Sequence, residues 1–168
     1  AEEVPGGHGV LDEILVSLGR DLWVLMAELA TAPENHAKLS DGSTKVTAPM
    51  VERLEGLIDH TSALFDLPTE FVVPGESVVA AQLDVARTAT RRAERDSLGV
   101  EGVGTQVLAY LNRLSDLLWT LARWVEGESL TARSVPEGDA AFTEDPAANE
   151  PAPNEPASEG ESGVPTDG

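Results

Sequence analysis

Apolar residues recur at steps of three and four positions along four separate stretches of the chain, with polar residues between them. This spacing places apolar side chains on one face of an α-helix. The first stretch runs from about residue 10 to residue 31, and "TAPEN" is expected to end it at Pro33. Its stripe comprises Val10, Leu11, Ile14, Leu15, Leu18, Leu22, Leu25 and Leu29.

The second stretch, "TAPMVERLEGLIDHTSAL", opens with the signals of a helix N-terminus. Thr47 is a suitable N-cap, and Pro49 falls in the first turn, where a missing N–H costs nothing. A polar loop, "HAKLSDGSTKV", is expected before this helix, and a connection with two prolines, "FDLPTEFVVPGES", is expected after it. The apolar stripe of the helix comprises Val51, Leu54, Leu57, Ile58 and Leu64.

The third and fourth helices are expected over residues 77–97 and 105–126, with three glycines between them and Gly127 at the end. One side of the third helix carries Val78, Val79, Gln82, Val85, Ala86, Ala89 and Ala93. The stripe of the fourth comprises Leu111, Leu114, Leu118, Leu121 and Val125. No long stretch alternates with the two-residue period of a strand. The pattern therefore predicts an all-α fold, an antiparallel bundle of four helices.

The composition changes after Gly127, where "SVPEGDAAFTEDPAANEPAPNEPASEGESGVPTDG" is rich in Pro, Glu, Ala and Gly. Such a segment buries too little apolar surface to offset the entropy lost on ordering. We therefore expect an N-terminal stub over residues 1–8, a helical-bundle domain over 9–126 and a disordered acidic tail over 127–168.

Charge and residue content narrow the possible functions. Lys and Arg total 11 against 30 Asp and Glu, for a net charge of −19, which argues against nonspecific binding of nucleic acid. No apolar run approaches the ~18 residues of a membrane span. Cys is absent, and the three His have no partner at ligand spacing, so no metal site is predicted. These features favour a cytoplasmic protein with no nucleic-acid or membrane partner.

Four of the scarce cations lie in one short segment, "ARTATRRAERDS". On a helix, Arg87, Arg91 and Glu94 fall within about 60° of one another, and Arg92 and Arg95 lie close by. A planar guanidinium suits phosphate oxygens, so a line of arginines could hold a polyphosphate. The alternative is a solvated helix face on which Arg and Glu pair at three- and four-residue spacing.

The fourth helix carries a second polar line, in "YLNRLSDLLWTLARW". Asn112, Asp116 and Arg123 fall within about 40° of each other, so they could flank a shared ligand or bind neighbouring helices. The alternative is a buried polar network that fixes the register of the helices. Phe71 lies in the connection before the third helix, where on sequence alone it is a candidate loop anchor packed under the bundle.

Together these segments resemble the PduO-type ATP:corrinoid adenosyltransferases, in family order, over roughly residues 11–125. "LGRDLWVLMAELATAPEN" is similar to the family's second helix and "MVERLEGLID" to its third. "FVVPGESVVAAQLDVARTATRRAER" is similar to the segment from the family's loop phenylalanine through its arginine helix. "YLNRLSDLLWTLAR" is close to the signature of its last helix.

The resemblance implies a homotrimer of helical bundles with active sites between subunits. It implies transfer of the 5′-deoxyadenosyl group from ATP, bound with Mg²⁺, to the Co(I) of a reduced corrinoid, which gives adenosylcobalamin and triphosphate. A reductase that supplies Co(I) is an implied partner. Because Co(I) is itself the nucleophile, the protein needs only to position C5′ and to neutralise the triphosphate.

The resemblance also implies roles for particular residues. Arg91, Arg92, Glu94 and Arg95 match the segment that contacts ATP, and Arg91 is the one expected to meet triphosphate charge and to act in catalysis. Asn112 matches an asparagine that contacts ATP.

Three further residues receive roles in the same way. Phe71 matches a catalytic phenylalanine that lies beneath the corrin and keeps the lower axial ligand off cobalt, which makes Co(II) easier to reduce. Asp116 is expected at the corrinoid site. Arg87 belongs to the ATP-binding set and matches an arginine that pairs with an aspartate of a neighbouring subunit.

The sequence departs from the family pattern in three respects. The resemblance begins just before the family's second helix, so we expect the chain to lack the Thr-Gly-Asp-x-Gly-x-Thr phosphate loop and the first helix. Glu76 stands where the family usually has a second Gly, and Asp84 where it often has His. The alternatives are therefore a non-catalytic corrinoid-binding module or a structural helical bundle with impaired ATP binding.

Overall fold

The computed structural model describes residues 7–134, and residues 1–6 and 135–168 lie outside the described part. The predicted bundle of four helices is confirmed. The helices are α1 Gly7–Leu29, α2 Ala48–Ser62, α3 Val78–Ser97 and α4 Thr105–Glu126. A short 3₁₀ helix, Pro33–Lys38, begins in "TAPEN", where the first helix was expected to end, and continues into the predicted loop.

The helix ends follow the local signals in the sequence. Ser77 caps α3, because its Oγ accepts a hydrogen bond from the Ala80 N–H at 3.1 Å. Thr47 holds the predicted N-cap position of α2 in extended backbone, with Pro49 in the first turn, but its side chain makes no capping hydrogen bond. Gly127 follows α4 with φ of 74°, a conformation that favours glycine.

The core is built around α4, which packs against both α2 and α3. Its buried apolar residues are Val107, Tyr110, Leu111, Leu114, Leu117, Leu118, Leu121, Ala122 and Trp124. The other helices contribute Leu11, Leu18, Val24, Leu25, Met50, Leu54, Ala80 and Leu83. Helix α4 is therefore the central element, and any site on its surface is shared with a neighbouring helix.

Buried polar contacts also join α1 to the rest of the bundle. The Glu28 carboxylate accepts a hydrogen bond from the Val46 N–H at 2.6 Å. A Cβ atom at Gly104 would lie 2.6 Å from Glu28 Oε1, so a side chain at this position would push the Glu28 carboxylate away from its hydrogen bond. The Tyr110 hydroxyl donates to buried Asp21 at 3.1 Å. Burial, followed by the charge of Asp21, raises the pKa of Tyr110.

The apolar side of α3 corrects a prediction from the sequence. Val78 and Val85 are 77% and 67% exposed, whereas Ala80 and Leu83 are buried. The side of α3 that carries Glu94 faces α4 instead. The physical reason is that Leu83 fills the core, while the polar residues of α3 find partners on α4. Val10 and Leu15 of the α1 stripe are likewise exposed, at 48% and 37%.

The chain beyond α4 also differs from the predicted tail at its beginning. Residues 128–134 run alongside the connection before α3, and Val72 and Thr131 form an antiparallel bridge. The predicted disorder of residues 135–168, and the predicted stub apart from residues 7 and 8, lie outside the described residues. Among the described helices, none is long and apolar enough to cross a membrane.

Candidate active site

An open cavity of about 560 Å³ lies where the connection before α3 meets the facing sides of α3 and α4. The connection contributes Pro68, Thr69, Glu70, Phe71, Val72 and Pro74. Asp84 and Arg87 come from α3, and Trp119 and Arg123 come from α4. The cavity therefore combines two aromatic side chains with a charged wall.

Phe71 is 90% exposed although it is a large apolar side chain. This exposure excludes the alternative in which Phe71 is an anchor packed beneath the bundle. Its backbone is fixed, because the Phe71 carbonyl accepts a hydrogen bond from the Ala132 N–H at 2.8 Å. An ordered backbone that holds an exposed aromatic ring at a cavity presents a flat apolar surface to a ligand.

Arg123 is buried and links α4 to α3. Its Nη2 donates to Asp84 Oδ2 at 2.8 Å and to Glu126 Oε1 at 3.0 Å. Its Nε lies 2.8 Å from Glu126 Oε2 but makes no hydrogen bond there. Its Cζ atom is 6.0 Å from the centroid of the Trp119 ring, close enough for a cation–π contact.

Two carboxylates thus share one buried guanidinium at the wall of the cavity. Burial raises the pKa of Glu126, and this effect outweighs the opposing charge of Arg123. Arg87 lies on α3 in the same cavity and is half-buried. Within residues 7–134 it forms no ion pair. Arg87 is therefore a cation that can meet an anion entering the cavity.

A second polar cluster lies farther along the same pair of helices. Glu94 Oε2 pairs with Arg91 Nη1 at 2.8 Å, and Glu94 Oε1 accepts from Asn112 Nδ2 at 3.1 Å. The Glu94 side chain is 18% exposed, whereas that of Arg91 is 45% exposed. Glu94 therefore holds the Arg91 guanidinium and the Asn112 amide side by side. Each group keeps further N–H donors that a ligand could accept from.

The remaining arginines of α3, Arg92 and Arg95, are exposed. In the described part of the chain they have no carboxylate within ion-pair distance. They add positive charge beside the Arg91 cluster without a fixed geometry of their own.

The polar line predicted on α4 divides among three sets of partners. Asn112 contacts Glu94, and Arg123 contacts Asp84 and Glu126. Asp116 is exposed and pairs with Arg113 at 2.8 Å, on the side that faces α2. Asp116 does not line the 560 Å³ cavity. Within one subunit, Asp116 and Arg123 therefore contact different partners, and Arg123 matches the alternative of a network between helices.

Trp119 and Glu126 are two site residues that the sequence analysis missed. Trp119 lies beside the stripe of α4, where an aromatic residue is ordinarily counted as core. Glu126 is the last residue of α4, and its burial and its contact with Arg123 three residues earlier distinguish it from a solvated acid. The three-residue spacing was the one available signal.

The sequence profile of the cobalamin adenosyltransferase family matches residues 3–125. The chain belongs to this family. A corrinoid adenosyltransferase of Citrobacter freundii is 37% identical over 138 residues, which cover 69% of this chain and 77% of that protein. A corrinoid adenosyltransferase of Mycobacterium tuberculosis is 36% identical over 118 residues, which cover 67% of this chain and 60% of that protein. The chain thus spans about three fifths of this mycobacterial cobalamin adenosyltransferase.

Solved structures of the cobalamin adenosyltransferase family agree with the fold. A variant PduO-type ATP:corrinoid adenosyltransferase from Lactobacillus reuteri, complexed with cobalamin and ATP, matches with a TM-score of 0.63 and 30% identity. The match covers 74% of this chain and 71% of that one. Another variant of that enzyme, complexed with ATP, matches with a TM-score of 0.65 and 27% identity over 74% of this chain and 72% of the other. The resemblance inferred from the sequence is confirmed.

Proposed function

We propose that this chain carries the catalytic chemistry of an ATP:corrinoid adenosyltransferase. The 5′-deoxyadenosyl group of ATP passes to the Co(I) of a reduced corrinoid, a Co–C bond forms, and triphosphate leaves. The observation that carries the proposal is the shared face of α3 and α4, which has the aromatic cavity at one end and the Arg91 cluster beyond it. Arg87 and Arg91 are one turn apart, about 6 Å along the helix axis.

The cavity suits the corrinoid. A corrin is a flat, largely apolar macrocycle, and the exposed Phe71 ring offers a flat apolar partner. We assign Phe71 to the face of cobalt that the lower axial ligand would occupy. Exclusion of that ligand lowers the electron density at Co(II) and so favours its reduction to Co(I). Trp119 supports the same region from α4. Asp116 pairs with Arg113 and does not line this cavity, so its assignment to the corrinoid site stays a prediction from the resemblance.

The Arg91 cluster suits ATP. The Arg91 guanidinium provides a fork of donors for triphosphate oxygens, and Glu94 limits its freedom. We assign the Asn112 amide to a polar contact with ATP, and Arg92 and Arg95 to neutralisation of phosphate charge around it. Arg87, which lines the cavity one helical turn before Arg91, is assigned to the ATP-binding set. Mg²⁺ enters with the phosphates of ATP.

These residues need not include a base. Co(I) supplies the electron pair, and triphosphate departs with the electrons of the C5′–O bond. The protein contributes approach geometry and stabilisation of the charge on the departing triphosphate. Arg91 is therefore assigned to catalysis as well as to binding.

We also propose the assembly and setting of the enzyme. It forms a homotrimer with active sites between subunits, receives Co(I) from a separate reductase, and works in the cytoplasm, where ATP is present. Exposed apolar residues support an interface: Val78 and Val85 on α3, and Val16, Trp23 and Met26 on α1. Such faces are ordinarily covered in an assembly.

Anaerobic turnover tests the proposed function. The chain is mixed with ATP, Mg²⁺ and chemically reduced cob(I)alamin, and loss of Co(I) absorbance is followed with formation of the light-sensitive Co–C product. We expect product in proportion to enzyme, and less product with Arg91→Ala. Binding of cob(II)alamin without any product would favour the alternative of a non-catalytic corrinoid-binding module. Absence of both would favour a structural bundle.

A further inference from the structure

The segment after α4 is hydrogen-bonded to the backbone of the connection that carries Phe71. The Ala132 N–H donates to the Phe71 carbonyl at 2.8 Å, and the Val73 N–H donates to the Leu130 carbonyl at 2.8 Å. Between these two bonds, Val72 lies opposite Thr131 in an antiparallel bridge. We call residues 129–133 the strap.

Side chains fasten the strap on both sides of this bridge. Glu76 Oε2 accepts from the Leu130 N–H at 3.1 Å. Arg133 Nη1 donates to Glu70 Oε1 at 3.3 Å. The connection is thus held by the strap before Phe71, at Phe71 and after it.

The connection has little else to fix its conformation around Phe71. The Phe71 ring is exposed and gains little from packing. Pro74 donates no backbone hydrogen bond, and Gly75 has φ of 103°, so this part of the chain has no regular structure of its own. Ordering such a segment costs conformational entropy, which the hydrogen bonds of the strap offset.

We propose that the strap positions Phe71, with the Ala132 amide and the Glu76 carboxylate as its positioning groups. The inference rests on the proposed function, because Phe71 is the residue that meets the corrinoid. It adds that a segment some 60 residues later in the chain sets the affinity for the corrinoid without touching it. Loss of the strap leaves Phe71 present but not held at the cavity.

The test combines strap variants with Phe71→Ala in a double-mutant cycle. Ala132→Pro removes the N–H that bonds to Phe71, at an exposed residue whose neighbour Thr131 is already in a bridge, a conformation that tolerates a following proline. Ala132→Ser keeps the N–H and is the matched control. Glu76→Ala removes the acceptor, and Glu76→Gln retains an acceptor oxygen. Affinity for cob(II)alamin is measured by absorbance titration.

We expect Ala132→Pro to weaken cob(II)alamin binding by about tenfold when Phe71 is present and by less than about twofold in the Phe71→Ala background. Ala132→Ser and Glu76→Gln should bind cob(II)alamin as the parent does. The affinity of Glu76→Ala should lie between that of the parent and that of Ala132→Pro. Binding by Ala132→Pro equal to the parent would overturn the proposal. An equal loss in both backgrounds would also overturn it, because a purely structural role does not depend on Phe71.

Amide exchange of Val73 in the ligand-free protein separates this inference from the proposed function. The Val73 N–H is bonded to the strap, so Ala132→Pro should speed its exchange while exchange within α4 stays slow. If the parent fails to bind cob(II)alamin, the proposed function fails, and with it the role of Phe71. If the parent binds but Val73 exchange is unchanged in Ala132→Pro, the strap does not hold the connection and only the inference fails.

Discussion

Arg91 is the residue on which the proposed chemistry depends most directly. Its guanidinium is held by Glu94, which also binds Asn112. Arg91→Ala should weaken ATP binding by about ten- to hundredfold, the equivalent of a charge-assisted hydrogen bond of ~1.5–3 kcal/mol. Arg91→Lys should recover only part of the loss, because lysine lacks the fork. Calorimetric titration with ATP and Mg²⁺ measures the affinity of both variants. Parent-like binding by Arg91→Ala would contradict the assignment of Arg91 to the triphosphate.

Glu126 gives the protein a predicted dependence on pH. Its folded pKa is raised by burial above the ordinary value of 4.5, so the folded state holds the proton more tightly than the unfolded state does. Its stabilising contribution is complete below pH 4.5 and is lost as pH rises through the folded pKa. The free energy of unfolding of the parent, measured with denaturant, should therefore fall relative to that of Glu126→Gln as the pH rises from 4 to 7. A constant difference between the two proteins would refute this.

At the scale of elements, the end of the chain falls into two parts, residues 128–134 and residues 135–168, whose removal should affect stability differently. Truncation after Ser134 should leave the thermal midpoint unchanged, because the composition of residues 135–168 predicts no ordered packing. Truncation after Gly127 removes the hydrogen bonds to residues 71 and 73. It should lower the thermal midpoint by about 2–4 °C for each kcal/mol of stability lost. Differential scanning calorimetry compares the two, and equal midpoints would exclude a stabilising role for the strap.

At the scale of the whole molecule, the outward face of α3 predicts assembly. Val85 is 67% exposed and lies outside the core, so Val85→Asp should leave the folded subunit intact. If this face is an interface, the buried charge should dissociate the proposed trimer. Light scattering should then give the mass of one subunit for Val85→Asp and of three for the parent, with unchanged helical circular dichroism. A variant of parental mass would locate the interface elsewhere.

The same face marks the limit of what periodicity could predict for α3. Its residues Val78, Val85 and Ala89 repeat at helical spacing, which is why they were grouped as the apolar side. Periodicity identifies a stripe but not what covers it. In the folded chain Leu83 fills the core, and the side carrying Glu94 and Arg87 turns toward α4 and the cavity.

The sequence by itself determined the features that depend on neighbouring residues. Four helices, the N-cap position of Thr47 and the end at Gly127 follow from local spacing and backbone preference, and all are present. The family could be identified because its helix signatures are also local. Glu94 and Arg91 are three residues apart, so even their pairing was within reach of helical geometry.

Only the tertiary structure decided which distant residues meet. Asp84 and Arg123 are 39 positions apart, and the strap reaches Phe71 across about 60 residues. The exposure of Phe71 was decided in the same way. These contacts depend on how far each helix is rotated about its axis and on the path of the chain after α4. No local preference sets either, because both are fixed by the packing of all the helices together.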